Sequence, residues 1–134
     1  MKRQALTVIV YLVVTMALGM SWYLFFFKEL YEGLGMYNRQ DPIIPLGFTS
    51  MLVQGIVYAY MYPLLCRNLN PLMEGIRFSL LMEAIQFSVS TIANAAKIHV
   101  SPMGIWFAYQ AGFHLLHGVI FGLCLWLIYC KTKN

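Results

Sequence analysis

Residues 79–117 read SLLMEAIQFSVSTIANAAKIHVSPMGIWFAYQAGFHLLH, two apolar stretches joined by a short connection from Ile98 to Pro102. In the first stretch, polar side chains recur every three or four positions, at Ser79, Glu83, Gln86, Ser90, Asn94 and Lys97. At about 100° per residue, these positions fall within an arc of roughly 80° on one face of a helix. Unpaired amides and a carboxylate are costly in hydrocarbon, so we expect this face to point away from lipid.

The second stretch carries a matching set of polar residues on one helix face, namely Gln110, His114 and His117. Because the connection is short, the two helices are expected to be antiparallel neighbours. If their adjoining ends lie at the same depth, the facing pairs are Glu83 with His117, Gln86 with His114, and Ser90 with Gln110. The sequence therefore predicts two polar stripes in contact, with Glu83 and His117 near the middle of their helices.

The composition indicates that lipid surrounds most of the chain. Of 134 residues, 60% are hydrophobic and 10% are charged, whereas soluble domains carry about 25% charged residues. No basic patch is interleaved with aromatic residues in a polar segment, which argues against nucleic acid as a partner. Three cysteines without a C-x-x-C pair favour neither a disulfide framework nor a zinc site.

Four apolar stretches reach the length of about 20 residues that a membrane span requires. They cover residues 5–27, 43–66, 71–97 and 103–130. Asn70-Pro71 is typical of a helix N-cap followed by proline at the first helical position. We therefore expect an all-α integral membrane protein, one domain over residues 1–134, with four transmembrane helices in an up-down antiparallel bundle.

Basic residues predict the orientation of the bundle. One side would hold Lys2, Arg3, Arg67, Arg77, Lys131 and Lys133, and the other Lys28, Arg39 and Lys97. This bias favours cytoplasmic termini. An aromatic belt is predicted from residues near the helix ends, namely Trp22, Tyr23, Trp106, Trp126 and Tyr129. The segment from Lys28 to Asp41 is interpreted either as a short interfacial helix or as a flexible loop.

The other two helices carry weaker polar faces that would close the stripes into a four-sided cavity. Helix two presents Gln54 and Tyr58, flanked by Ser50 and Tyr62, and helix one presents Thr7, Tyr11, Thr15 and Trp22. Gly118 and Gly122 in helix four have the G-x-x-x-G spacing that permits close helix approach.

Glu83 has two interpretations. It is a proton or ligand site, as ionisable groups within membranes usually are, or a carboxyl group that joins helices by hydrogen bonds. Paired with His117, it would titrate as a coupled unit. Metal ligation by Glu83, His114 and His117 and haem ligation by a histidine are the alternatives. We assign no cofactor.

The segment Ala17-Leu18-Gly19-Met20-Ser21-Trp22-Tyr23 ends helix one with small residues and a Trp-Tyr pair. It resembles small four-span bacterial inner-membrane proteins of unknown function. This resemblance implies a bacterial inner membrane and a four-helix bundle, and it transfers no catalytic residue.

Three functional hypotheses follow, in order of preference. The first is a protonatable interior that binds or moves a small ligand, ion or proton, with the chain alone or as a homo-oligomer. Its expected site residues are Glu83, Gln86, Ser90, Asn94, Gln110, His114, His117, Gln54 and Tyr58. The second is an accessory or scaffolding subunit whose polar stripe is covered by a partner membrane protein. The third is an enzyme that acts on a lipid or quinone.

Overall fold

The structure is a computed structural model that describes residues 1–35, 41, 43–66 and 70–130. Across these residues the chain is helical, without strands. Its elements are α1 (Lys2–Gly19), a π-helical segment that continues it (Met20–Phe26), α2 (Lys28–Gly33), α3 (Ile44–Leu65), α4 (Pro71–Phe87), a second π-helical segment (Ser88–Ile92), α5 (Ala93–Ala95) and α6 (Met103–Cys130).

Four of the helical stretches are long and apolar enough to cross a membrane, which confirms the predicted number. They are Lys2–Phe26, Ile44–Leu65, Pro71–Ala95 and Met103–Cys130. The first begins at Lys2 rather than at Ala5, and the third ends at Ala95 rather than at Lys97. The predicted N-cap is also present, because the Asn70 side chain accepts a hydrogen bond of 3.4 Å from the amide of Met73.

Helix α6 runs antiparallel to both α1 and α4. At its end, Tyr129 contacts Thr7 near the start of α1, with 3.4 Å between the hydroxyl oxygens. Further back, His117 contacts Thr15 near the end of α1. On the other side, Gly122 packs against Gly75 at the start of α4.

Helix α3 packs mainly on α1 and meets α4 through its second half. There Tyr62 packs edge-on against Phe78, with 5.3 Å between ring centroids, and the Tyr58 hydroxyl accepts a hydrogen bond from Gln86. These contacts make α3 antiparallel to α4. Every residue from Ile43 to Ser50 is exposed, so the N-terminal end of α3 is not covered by the other helices.

Two clusters of buried side chains lie at opposite ends of the bundle. One, which we call the terminal cluster, lies toward the chain termini and contains Tyr11, Tyr58, Tyr62, Phe78, Met82, Phe121 and Leu125. The other, the loop cluster, contains Tyr31, Leu34, Val100 and Trp106. Trp106 was predicted to lie in an aromatic belt, but its exposed fraction is 0%, because α2 folds over it.

The segment after the first span forms the short helix α2 rather than an open loop over Lys28–Gly33. Tyr31 of this helix is fully buried, since its ring lies among Trp22, Tyr23 and Trp106. Residues 36–40 of the same predicted segment lie outside the described residues.

Candidate functional site: a polar cavity around Glu83

The carboxylate of Glu83 lies between two imidazoles of α6. Its Oε2 is 2.5 Å from Nδ1 of His114, and its Oε1 is 2.7 Å from Nδ1 of His117. The exposed fractions of the side chains are 5% for Glu83, 2% for His117 and 12% for His114. We call these three residues the Glu83 triad. Both carboxylate oxygens are thus occupied by ring nitrogens, away from bulk solvent.

The outer nitrogens of the triad contact hydroxyl groups. His117 Nε2 lies 2.9 Å from Oγ1 of Thr15 on α1, and His114 Nε2 lies 3.3 Å from Oγ of Ser90. The result is one continuous hydrogen-bonded chain from Thr15 through the triad to Ser90. If each Nδ1–H donates to an ionised Glu83, each Nε2 accepts from a hydroxyl, and both imidazoles are neutral. One further proton converts either ring to an imidazolium next to the carboxylate.

Glycines at the crossing of α4 and α6 bring Glu83 close to His117. A Cβ added to Gly75 would lie 2.6 Å from the carbonyl oxygen of Gly122, and one added to Gly122 would lie 2.7 Å from Cα of Ile76. Next to the triad, a Cβ on Gly118 would lie 3.1 Å from Cγ of Glu83. The predicted G-x-x-x-G pair therefore lies at the closest approach of these helices.

Both π-helical segments border the site. Ser90 lies within Ser88–Ile92, and Trp22 and Tyr23 lie within Met20–Phe26. Short π-helical insertions in α-helices are frequent at functional sites. They change the angular position of the residues that follow, which a regular helical period does not reproduce.

The triad forms one wall of a cavity of about 340 Å³. Its lining residues are Tyr11, Thr15 and Tyr23 from the first span, Gln54 from α3, Glu83, Gln86, Ser90 and Asn94 from the third span, and Gln110, Phe113, His114 and His117 from α6. Eight of the nine predicted site residues thus line one cavity, and the ninth, Tyr58, is hydrogen-bonded to Gln86.

Two of the predicted facing pairs are wrong, although Glu83 does contact His117. Gln86 donates to the Tyr58 hydroxyl over 3.3 Å, while His114 contacts Glu83 instead. Ser90 contacts His114 rather than Gln110. The reason is that one carboxylate reaches both imidazoles, which leaves Gln86 free to turn toward α3.

Gln110 is held by the loop end of the molecule. Its Oε1 accepts hydrogen bonds from the hydroxyls of Tyr23 and Tyr31, at 2.8 and 2.9 Å. The Tyr31 hydroxyl in turn accepts a hydrogen bond of 3.0 Å from Trp22 Nε1. Asn94 lines the cavity at its exposed edge, where its amide donates to the backbone carbonyl of Ser90.

Helix α1 contributes cavity residues that were not among the predicted site residues. Thr15 contacts His117, and the Tyr11 hydroxyl donates a hydrogen bond of 2.6 Å to Gln54. The polar face of Thr7, Tyr11 and Thr15 was the available signal. Nothing in the sequence indicated that Tyr23 and Phe113 line the cavity, because aromatic residues at such positions are equally typical of helix packing.

Glu83, His114 and His117, the candidate metal ligands, lie close together and are hydrogen-bonded to one another. Each Nδ1 faces its own carboxylate oxygen, and each Nε2 faces a hydroxyl. Within residues 1–35, 41, 43–66 and 70–130, no three His, Cys, Asp or Glu side chains are grouped to hold an ion. In this arrangement both carboxylate oxygens of Glu83 and all four ring nitrogens already have hydrogen-bonding partners.

Comparison with protein-family models, with curated proteins and with solved structures finds no match for this chain. Its function must be inferred from the geometry of the cavity.

Proposed function

We propose that this chain is an integral protein of a bacterial inner membrane with both termini in the cytoplasm. Four spans of sufficient length and hydropathy support the membrane location. The orientation is supported by the basic residues, which are more numerous in the segments on the side of the termini.

We further propose that the polar cavity binds or moves a small ligand, ion or proton, with the Glu83 triad as its protonatable element. The observation that carries this proposal is the hydrogen-bonded chain from Thr15 through the triad to Ser90, in which Glu83 and His117 are buried. A carboxylate within a membrane costs from about 2.5 to more than 10 kcal/mol unless it is paired or hydrated. Hydrogen-bonded packing alone does not require an ionisable group there, since amides or hydroxyls would join the helices at lower cost.

The surroundings of the cavity favour a binding site over an open channel. The terminal cluster, with Tyr11, Phe78 and Phe121, lies on one side, and the loop cluster, with Tyr31 and Trp106, lies on the other. Large buried aromatic rings at both ends leave the cavity midway along the spans. A ligand would therefore stay in contact with the triad rather than pass along a continuous pore.

The proposal is tested by following the ring nitrogens of His114 and His117 with nitrogen-15 NMR in purified, membrane-reconstituted protein. Both rings are hydrogen-bonded to the same carboxylate, so a proton added at one ring is expected to change the signals of both. Glu83→Gln should alter the signals of both rings at once. The exposed His99 supplies an internal reference, and Glu29→Gln on the exposed surface of α2 is the matched control.

Proton movement is measured with the same protein in liposomes that contain a pH-sensitive dye. A proton flux that is present with wild type and absent with Glu83→Gln would assign a transport function to the cavity. Imidazoles that change protonation without any proton flux would favour a binding function instead. The proposal fails if the signals of both imidazoles are independent of pH and the liposomes behave like empty ones.

The accessory-subunit function has one observation in its favour. Residues 43–50, at the N-terminal end of α3, are exposed throughout. A partner helix would cover this face. Purification in mild detergent tests the idea: a stoichiometric second membrane protein would support it, and a monomer or homo-oligomer alone would exclude it.

A further inference from the structure

The cavity has a distinctive balance of charge. Its ionisable lining residues are Glu83 and the two histidines, together with the phenols of Tyr11 and Tyr23. Among the described residues that line it, no lysine or arginine is present. Phenols are uncharged at neutral pH, and so is that of Tyr58, which faces Gln86 from α3. The charge of the cavity is therefore set by the triad alone.

In its fully hydrogen-bonded state with two neutral imidazoles, the triad carries a net charge of −1. Each Nδ1–H then donates to Glu83, and the hydroxyls of Thr15 and Ser90 donate to the two Nε2 atoms. A buried charge without a counter-charge is strongly disfavoured. The missing positive charge is supplied either by a proton on one imidazole or by a cation in the cavity.

The walls of the cavity are suited to an organic cation. The aromatic rings of Tyr11, Tyr23 and Phe113 line it, and aromatic faces attract ammonium groups, most strongly where water is excluded. The amide side chains of Gln54 and Gln86 add polar groups. A volume of about 340 Å³ is at the lower end of the range for small-molecule sites, about 300–1,000 Å³.

From these observations we infer that the ligand of this cavity is a small organic cation, bound in exchange for one proton of the Glu83 triad. The inference rests on the proposed function and specifies its ligand class. An anion would be repelled by the Glu83 carboxylate, and a neutral molecule could not replace the proton that balances the charge of the triad. Only a cation both replaces the proton and contacts the aromatic walls favourably.

Three probes of similar shape and different charge test the inference: tetramethylammonium, tert-butanol and pivalate. Binding to purified protein in detergent micelles is measured by isothermal titration calorimetry. We expect tetramethylammonium alone to bind. The affinity for tetramethylammonium should increase as the pH is raised, by up to about tenfold per pH unit as long as the triad is protonated. Once the triad has lost its proton, the affinity should no longer change with pH. Titrations in two buffers of different ionisation enthalpy should report the release of up to about one proton.

Glu83→Gln should abolish tetramethylammonium binding, whereas Glu29→Gln should leave it unchanged. If Glu83→Gln does not fold, as judged by gel filtration, the pH dependence and the buffer comparison on wild type still decide the question.

Binding of pivalate or tert-butanol as tight as that of tetramethylammonium would overturn the cation assignment and leave the proposed function standing. Binding of tetramethylammonium without pH dependence or proton release would overturn the exchange. If no probe binds but the imidazoles titrate, the inference fails by itself. If no probe binds and no imidazole titrates, the proposed function fails with it.

Discussion

Gly75 of α4 and Gly122 of α6 touch backbone to backbone, so that a Cβ on Gly75 would lie 2.6 Å from the carbonyl oxygen of Gly122. Atoms cannot approach so closely, and the obstacle is backbone rather than a flexible side chain. The absence of side chains at these two positions thus sets the separation of α4 and α6. That separation places Glu83 within hydrogen-bonding distance of both imidazoles.

Gly75→Ala is therefore expected to push the two helices apart. Overpacking of this kind costs typically about 1–3 kcal/mol, which thermal unfolding in detergent would measure. The matched control is Gly104→Ala, because a Cβ there meets nothing within 4 Å and alanine favours the helix. If both variants unfold at the wild-type temperature, the close crossing is not present in the protein.

Thr15 orients His117 from the neighbouring helix. Thr15→Val keeps the shape of the side chain but removes the hydroxyl that contacts Nε2 at 2.9 Å. A buried group left without a partner costs about 1–3 kcal/mol. We expect a lower unfolding temperature and an altered tautomer signal for His117 in nitrogen-15 NMR. Thr49→Val, on the exposed part of α3, is the control, and equal behaviour of the two variants would contradict the role of Thr15.

Tyr31 and Tyr23 donate to the same oxygen of Gln110, but their substitutions should differ in effect. Tyr31→Phe removes a donor to Gln110 and also the acceptor of Trp22 Nε1, whereas Tyr23→Phe removes a donor to Gln110. Tyr31 is fully buried whereas Tyr23 is partly exposed, and a buried polar group left without a partner costs about 1–3 kcal/mol. Tyr31→Phe is therefore expected to destabilise the protein more. Tyr60→Phe, at a side chain that is 60% exposed, should be neutral.

The double variant sharpens this test. With both tyrosines replaced, Gln110 Oε1 loses both phenolic donors at once. The loss of stability should then exceed the sum of the single effects. Strict additivity in chemical denaturation would show that the two hydroxyls do not share the Gln110 oxygen.

The sequence predicts those features that depend on one helix or one hairpin. The stripe of Glu83, Gln86 and Ser90 follows from helical periodicity, and the contact of Glu83 with His117 follows from a short connection between antiparallel helices. Such features are local, since few residues separate the parts involved.

Contacts between distant helices could not be predicted in the same way. The hydrogen bonds of Gln86 with Tyr58 and of Thr15 with His117 depend on the rotation of α3 and α1 in the bundle, which no nearby residue determines. The burial of Tyr31 depends on how α2 folds back over Trp106. The π-helical segment Ser88–Ile92 also interrupts the regular period from which the pairing of Ser90 was predicted.

The proposed orientation predicts which cysteines a membrane-impermeant maleimide reaches in intact cells. A cysteine introduced at Glu29, exposed on α2, should be labelled from outside. Cys130, exposed at the end of α6, should be labelled only after the membrane is permeabilised. The reverse pattern would place the termini outside the cytoplasm and contradict the distribution of basic residues as a guide to orientation.

Cys66, just beyond the second span, should react slowly in the same experiment. Burial, with a smaller contribution from the negative charge of Glu74, raises the pKa of its thiol to about 11. The reactive species is the thiolate, which is scarce at neutral pH and increases as the pH rises toward that value. In permeabilised membranes, alkylation of Cys66 should therefore accelerate by about tenfold per pH unit below the pKa. Glu74→Gln removes the charge and should speed the reaction modestly. Alkylation of Cys66 at neutral pH as fast as that of Cys130 would contradict the partly buried position of this thiol.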